Sequence, residues 1–446
     1  MKKYLRDFIS QIKNRPLVKD TITTSVLSII GKGVGFLIPF FIARWFGISN
    51  YTDAFFFAYG VILFLSITVA PAIENTVVPL ISQLINKKED VGSFVSRVII
   101  FLIPILLLFT CVFIILARPI LSMITKFDTE SLNLIIRLMI ELSPLAVLLV
   151  ISSILAGSMN TYKKFATPAL SPAFRAIINL LIIFLFKDSW GVYSIARGYV
   201  IGEIFRICIL LWSIRKHHLF SWRFSFKFSD DLKELFIITL YPVLGMVAVG
   251  LNPIIDQTMA TWLGPTKVSV LSYADRLYTI PVTFLSSGVI VTLLSHWSER
   301  YQKHGAVRLS IDVNKAIKFI LLASSILTAG LLLFSKIIVY LVYGRGALTP
   351  HVLNQINLTF VCYLFGLVPY ILARVVIRAL VVLKKLHFLM IVGVLRNVCN
   401  IVFNYMFMKR LGVAGIALST SFVTLIEYVL LKQYFNKIIV RNSEST

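Results

Sequence analysis

Residues 92–117 read GSFVSRVIIFLIPILLLFTCVFIILA, an unbroken apolar run whose single charge is Arg97. As a helix rising about 1.5 Å per residue, it is long enough to cross the roughly 30 Å hydrocarbon core of a bilayer. It has no alternation of polar and apolar residues, so it does not read as a strand of a closed membrane barrel. Working outward, runs of the same kind fall at 21–44, 52–84, 132–156, 167–186 and 190–213. Six more follow at 232–258, 267–296, 313–343, 352–380, 388–408 and 412–435. The expectation is an all-α polytopic membrane protein of about twelve transmembrane helices.

Composition agrees with this reading. Of 446 residues, 58% are hydrophobic and 14% charged, with a mean hydropathy of +0.87; soluble domains hold roughly 45–50% apolar residues. The net charge of +24 does not point to nucleic acid, because Lys and Arg sit in short stretches between the apolar runs instead of on one patch or stripe. Their bias places both termini in the cytoplasm. The strongest blocks, Lys2 to Lys19, Arg215 to Lys233 and Arg300 to Lys318, read as orientation signals that also lie near anionic membrane lipids. The stretch Met1 to Lys19 is basic and polar, and the run after it is too long for a signal-peptide core, so no cleavage is expected. Cys111, Cys208, Cys362 and Cys399 lie inside apolar runs without CxxC spacing and read as small buried hydrophobes.

An internal repeat divides the chain. Ala43-Arg44-Trp45-Phe46-Gly47 returns as Ala260-Thr261-Trp262-Leu263-Gly264, an offset of 217. Lys163-Lys164 with Arg175 and Asn179 returns as Lys384-Lys385 with Arg396 and Asn400, and Gly191-Val192 with Ile195-Ala196 returns as Gly412-Val413 with Ile416-Ala417, both at an offset of 221. The expected domains are six-helix bundles over 1–222 and 223–446. With an even number of spans each, they enter the membrane in the same sense and are related by a pseudo-twofold axis along its normal. The linker His217 to Asp231, with Phe220, Trp222, Phe224, Phe226 and Phe228 alternating with polar residues, reads as a hinge strip at the interface.

An ionisable side chain at membrane depth costs on the order of 3 kcal/mol on insertion scales, so each one needs a partner, a water-filled cavity or a role. Lys32, in Gly31-Lys32-Gly33-Val34-Gly35, and Arg276, beside Asp275 and before Pro281, read as cavity cations that contact substrate. Adjacent helical residues do not face each other, so Asp275 cannot neutralise Arg276 well. Arg44 and Asp53 flank an external turn, either pairing there or acting as a gate and in substrate contact. Asp256, after Asn252-Pro253, reads as a proton or sodium site or as the cap of a kink. Glu74, between Pro71 and Pro79, suggests a second span that is broken or bent. Arg374 and Arg378, spaced i,i+4, read as snorkelling to lipid phosphates. The sequence carries no Walker loop, no nucleophile elbow and no metal-spaced ligand cluster, so neither cofactor nor metal is expected, and coupling falls to H+, Na+ or the membrane potential.

These residues resemble the MurJ/MviN family of lipid II flippases, in the MOP exporter superfamily that also holds the Wzx polysaccharide flippases and the MATE exporters. The likeness runs from Gly35-Phe36 through Ala43-Arg44-Trp45-Phe46-Gly47 to Thr52-Asp53-Ala54-Phe55-Phe56. It continues in Asn160-Thr161-Tyr162 with Pro168 and Pro172, and in Ser272-Tyr273-Ala274-Asp275-Arg276-Leu277 with Pro281. The resemblance implies a MOP/MATE-like fold and an alternating-access cycle in which cavity cations hold the pyrophosphate of an undecaprenyl-linked saccharide. By that likeness Lys32 and Arg276 fall on cavity cations and Asp53 on an acidic position. The chain departs from the pattern at Lys32 and Ile38, where the family usually has Arg, and around Phe64 to Ser66, which lacks a third cation. It also ends after twelve spans where most lipid II flippases have two more.

The expected function is a monomeric flippase in the bacterial cytoplasmic membrane, with lipid II and a polysaccharide repeat unit both open as the lipid-linked anionic saccharide. A MATE-like ion-coupled exporter is the alternative, and a membrane glycosyl or phosphoglycosyl transferase a more distant one. Carboxylate- or aromatic-dominated cavities would mark the former, and a carboxylate cluster at the membrane face the latter.

Overall fold

A computed structural model describes residues 27–87, 89–222, 230–286, 291–346 and 348–444. The block Lys2 to Lys19, the start of the first run and residues 223–229 of the aromatic linker lie outside them. Among the described residues the secondary structure is helical, with no strand. In chain order the helices are α1 Leu27–Phe46, α2 Asn50–Lys87, α3 Val91–Ile124, α4 Thr129–Thr161, α5 Ala166–Trp190 and α6 Tyr193–Lys216. They continue with α7 Asp230–Thr261, α8 Lys267–Leu285, α9 Val291–Tyr343, α10 Pro350–Val382, α11 Leu386–Leu411 and α12 Val413–Glu444.

Nine of these stretches are long and apolar enough to cross a membrane among the described residues; α6, α7 and α8 are not among the nine. The surface agrees with a lipid solvent. Leu108, Ile115, Met123, Phe319, Leu333 and Tyr340 all stand more than 60% exposed, an apolar surface that water would penalise and lipid does not. Cys111 and Cys208 share that exposure and only Cys362 is buried, so the reading of four buried thiols holds for one of them.

Two local expectations change. The second span was expected to be broken or bent, and it is not broken: α2 is one helix across Pro71 and Pro79. A proline removes one amide donor but leaves its neighbours' bonds in place, and Thr76 Oγ1 bonds back to the Ala72 carbonyl at 2.6 Å within the same turns. The basic stretch from Arg300 was expected to be a connector, yet it belongs to α9, whose backbone departs from helical geometry at Gly305 (φ 70°). An ion pair of 2.7 Å from Arg300 Nη1 to Asp312 Oδ2 spans that kink.

The repeat is written into the backbone. Lys163 and Lys384 have φ of 58° and 57°, and Gly191 and Gly412 have 53° and 57°. The hydrogen bonds match as well: Lys164 N–H to the Met159 carbonyl (3.0 Å) corresponds to Lys385 N–H to the Leu380 carbonyl (2.9 Å), and Gly191 N–H to Lys187 (3.1 Å) corresponds to Gly412 N–H to Met408 (2.9 Å). Corresponding turns thus share the same positive-φ backbone, whose amides satisfy terminal helix carbonyls.

The described chain forms two compact units. The first holds the described residues up to Ile38, then Leu65–Ile115 and Ile140–Val243; the second holds Pro39–Phe64, Leu116–Met139 and Leu244–Thr446. In the first unit, Ile73, Val77, Ile81, Phe94, Val98, Val150, Ile154 and Leu235 are fully or nearly buried together. Phe220 and Trp222 pack against this core, with ring centroids 5.4 Å apart, so the described part of the linker joins the packing of the bundle. Thr76 and Thr239 share a buried 2.9 Å hydrogen bond there. In the second unit the largest fully buried side chains include Tyr273, Tyr343, Phe55 and Phe57.

Candidate functional site

In the first unit, Glu203 on α6 is fully buried and bridges two arginines. Arg206 Nη1 lies 3.0 Å from Oε1 and Arg175 Nη1 lies 3.2 Å from Oε2. Arg206 also donates to Ser171 Oγ (3.0 Å) and Ser152 Oγ (3.2 Å), which ties α4, α5 and α6 together. Gly202 makes this possible: a Cβ there would stand 2.6 Å from the Arg175 carbonyl oxygen, so only glycine lets α5 and α6 approach this closely. Glu74 is half-buried beside Gly157 and within electrostatic reach of Arg206 and Lys32. Lys32 itself is exposed on α1, next to Gly31, which leaves no room for a Cβ against the Ala169 carbonyl of α5. Glu141 and Arg197 form a separate two-pronged pair at 2.6 and 3.1 Å, with the guanidinium stacked 4.8 Å from the Trp190 ring.

In the second unit, the end of α1 and the start of α2 are pinned to α8. Asp53, 1% exposed, accepts hydrogen bonds from the Ser269 backbone N–H (2.8 Å) and hydroxyl, and the same hydroxyl donates to Thr52 Oγ1 (2.9 Å). Ser269 lies in the first turn of α8, where unpaired amides and the helix dipole favour a carboxylate. Tyr273 donates to the Gly47 carbonyl (2.9 Å), and Tyr343 donates to the Tyr273 carbonyl (3.0 Å). The expected alternative of an Arg44–Asp53 pair is not formed: Arg44 is exposed and Asp53 is bonded to Ser269 of α8.

The second unit also contains a cavity of about 290 Å³ walled by α7, α8, α10, α11 and α12. Asp256, Asp275, Arg276, Arg374 and Arg396 line it with Tyr278, Tyr363, Tyr370 and Thr420. Asp256 is buried, and both of its oxygens are engaged by neutral donors. Asn404 Nδ2 reaches Oδ1 at 2.8 Å, while Thr420 Oγ1 and Asn252 Nδ2 reach Oδ2 at 2.9 and 3.4 Å. Asn400 follows through Asn404 at 3.2 Å. Arg276 lies 5.9 Å from the Tyr59 ring and Arg374 lies 4.6 Å from the Tyr370 ring. Arg396 faces Glu427, 3.7 Å away.

The structure therefore brings Asp256, Asp275 and Arg276 to one cavity, sets Lys32 and Glu74 in the charged cluster of the other unit, and places Asp53 in a latch at a helix start. Arg374 corrects the reading made from its spacing: it faces the cavity, not lipid phosphates. The i,i+4 spacing with Arg378 gave the shared face but not which way that face turns. Arg396 read as a charge within a span and a repeat marker without an assigned role, and Asn404 gave no signal, since single polar residues on apolar helices are ordinary.

A family model described as "Lipid II flippase MurJ" matches residues 42–445. A probable lipid II flippase MurJ of Thermotoga maritima is 26% identical, over 96% of this chain and 88% of that protein. The lipid II flippase MurJ of Burkholderia cenocepacia is 24% identical over 90% and 80%. Among solved structures, a lipid II flippase MurJ in an inward closed conformation superposes with a TM-score of 0.79 at 23% identity, covering 94% of this chain and 90% of that one. An inward-facing MATE multidrug transporter of the MOP superfamily superposes at 0.76 with 13% identity, over 96% and 99%. At these identities the structural likenesses establish the fold, and it is the match along nearly the whole sequence that assigns the chain to the lipid II flippase MurJ family.

Proposed function

We propose that this multi-pass protein of the bacterial cytoplasmic membrane translocates lipid II, an undecaprenyl-pyrophosphate-linked saccharide, from the cytoplasmic to the outer leaflet by alternating access. The observation that carries the proposal is the cavity of the second unit, where three guanidinium groups line one 290 Å³ space inside membrane helices. Asp256 and Asp275 line the same space and Glu427 faces Arg396, so what the guanidinium groups offer is geometry: each matches phosphate oxygens two at a time. Family membership favours lipid II over a polysaccharide repeat unit, since the relatives are lipid II flippases by name.

Arg276 is the proposed pyrophosphate ligand of the second unit and Lys32 that of the first. No bond in the substrate is made or broken in this scheme, so the chain acts as a transporter without catalysis, as a monomer and with both termini in the cytoplasm. Asp53 serves as the gate: its bonds to Ser269 form in one state of the cycle and break in the other. Asp256 with Asn400, Asn404 and Thr420 offers carboxylate, amide and hydroxyl oxygens to a small cation or a proton, which makes it the proposed coupling site. The membrane potential is a further source, worth about 2.3 kcal/mol per elementary charge per 100 mV. The test is translocation of fluorescent lipid II in proteoliposomes. Transport by the wild type supports the reading, and selective transport of a polysaccharide repeat unit on the same carrier would replace lipid II with that substrate.

A further inference from the structure

We propose that Arg374 is a second phosphate-binding residue of the cavity, the one that lets the protein distinguish a pyrophosphate-linked lipid from its monophosphate counterpart; the proposal rests on the pyrophosphate reading above.

The three cavity arginines are not equivalent. Arg396 has a carboxylate, Glu427, 3.7 Å away, and both are only 10% and 8% exposed, so its charge is matched within the protein. Asp275 is the immediate neighbour of Arg276 on α8. Arg374 stands on α10 against the face of Tyr370, 4.6 Å from the ring centroid, and its Nε is buried with no hydrogen-bond partner. A buried guanidinium N–H without an acceptor is an unpaid desolvation cost, and native structures rarely leave one unless a ligand or ion completes it. Tyr370 is its neighbour in the protein and Glu427 lies within electrostatic reach, which leaves the buried Nε donor for a ligand.

The walls of the cavity reinforce this placement. Arg276 comes from α8 and Arg374 from α10, with Tyr278 and Tyr363 stacked in the same wall at 5.3 Å. Two arginines carried by different helices suit a ligand with two charged centres. One phosphate needs only one of them, whereas a pyrophosphate engages both. The other charged groups facing this space are the aspartates: Asp256, already held by Asn404 and Thr420, and Asp275. They repel a phosphate that has no guanidinium between it and them.

The test uses the full chain in lipid nanodiscs, titrated with undecaprenyl pyrophosphate and, separately, with undecaprenyl monophosphate, and read by native mass spectrometry. Variants are Arg374→Gln, Arg374→Lys and, as the control one turn further along α10, Arg378→Gln. The expected result is a wild-type preference for the pyrophosphate that Arg374→Gln lowers about tenfold, the scale of one charged hydrogen-bonded contact, with the monophosphate affinity little changed. Arg374→Lys keeps the charge but loses the fork, so it loses part of the preference, and Arg378→Gln behaves as wild type. The proposal is overturned if both Arg374 variants keep the wild-type preference, or if both lipids weaken in parallel, which marks a structural role. If Arg374→Gln does not fold, the Lys variant decides by the same criterion. A wild type that binds neither lipid overturns the substrate reading itself, a result separable from an effect confined to Arg374.

Discussion

Ser269 gives both its backbone N–H, at 2.8 Å, and its hydroxyl to one carboxylate oxygen of Asp53, 216 positions earlier in the chain. The carboxylate sits in the first turn of α8, where it serves as a cap as well as a tether, and it is 1% exposed. Replacing it with alanine takes the acceptor from the Ser269 backbone N–H and leaves the hydroxyl only Thr52 Oγ1. Asp53→Ala is expected to lower stability by about 1–3 kcal/mol, and Asp53→Asn, which keeps one acceptor oxygen, by less. Thermal unfolding in detergent checks the order, and equal melting temperatures for the alanine variant and wild type would contradict it.

Glu203 is fully buried and pairs with both Arg175 and Arg206. Its removal leaves two guanidinium groups facing each other in a low-dielectric interior. Glu203→Ala is expected to cost about 3–5 kcal/mol, the range for breaking a buried pair from one side, and to reduce the folded yield in membranes. Glu203→Gln is expected to be intermediate, since it keeps a hydrogen-bond acceptor but not the charge. The quantity measured is the fraction of monodisperse protein at a fixed temperature.

How much of this was legible beforehand depends on the physics behind each residue. The membrane class, the helical fold and the repeat follow from hydrophobic runs and from glycines whose φ no other residue adopts cheaply, both of them local properties of the chain. Arg276 was legible because a charge in an apolar run must have a reason. The direction in which Arg374 faces was not, since a helix face acquires its meaning only from what packs against it. Asp53 was found, but its partner was not: the bond to Ser269 depends on tertiary contact between distant segments. Asn404 beside Asp256 is a short neutral side chain, common in membrane helices and silent in sequence. The uninterrupted α2 shows that prolines at Pro71 and Pro79 do not by themselves end a helix.

The repeated caps make a paired prediction. Gly191 and Gly412 share φ of 53° and 57° with ψ of −136° and −135°, a region that is essentially restricted to glycine. Gly191→Ala and Gly412→Ala are each expected to destabilise by about 1–3 kcal/mol, and by similar amounts, since the two turns are built alike. A large cost at one and none at the other, in parallel unfolding measurements, would contradict the equivalence of the repeats.

The coupling site gives a prediction in ion dependence. If Asp256 with Asn404 and Thr420 holds the coupling cation, Asp256→Asn abolishes the dependence of transport on Na+ or on pH, while Thr420→Val only weakens it, since it removes one ligand oxygen. Initial rates across a sodium series at fixed pH, then across a pH series at fixed sodium, identify the ion. Unchanged ion dependence in Asp256→Asn would move the coupling elsewhere.

The most direct measurement is translocation of fluorescent lipid II into the protected leaflet of proteoliposomes by wild type and by Arg276→Ala, with reconstituted amounts matched. The account predicts that the wild type moves the lipid and that Arg276→Ala moves it at least about tenfold more slowly, the cost of one charged contact to phosphate, with its folded yield unchanged. Wild-type rates in Arg276→Ala would contradict the claim that a guanidinium in this cavity holds the pyrophosphate.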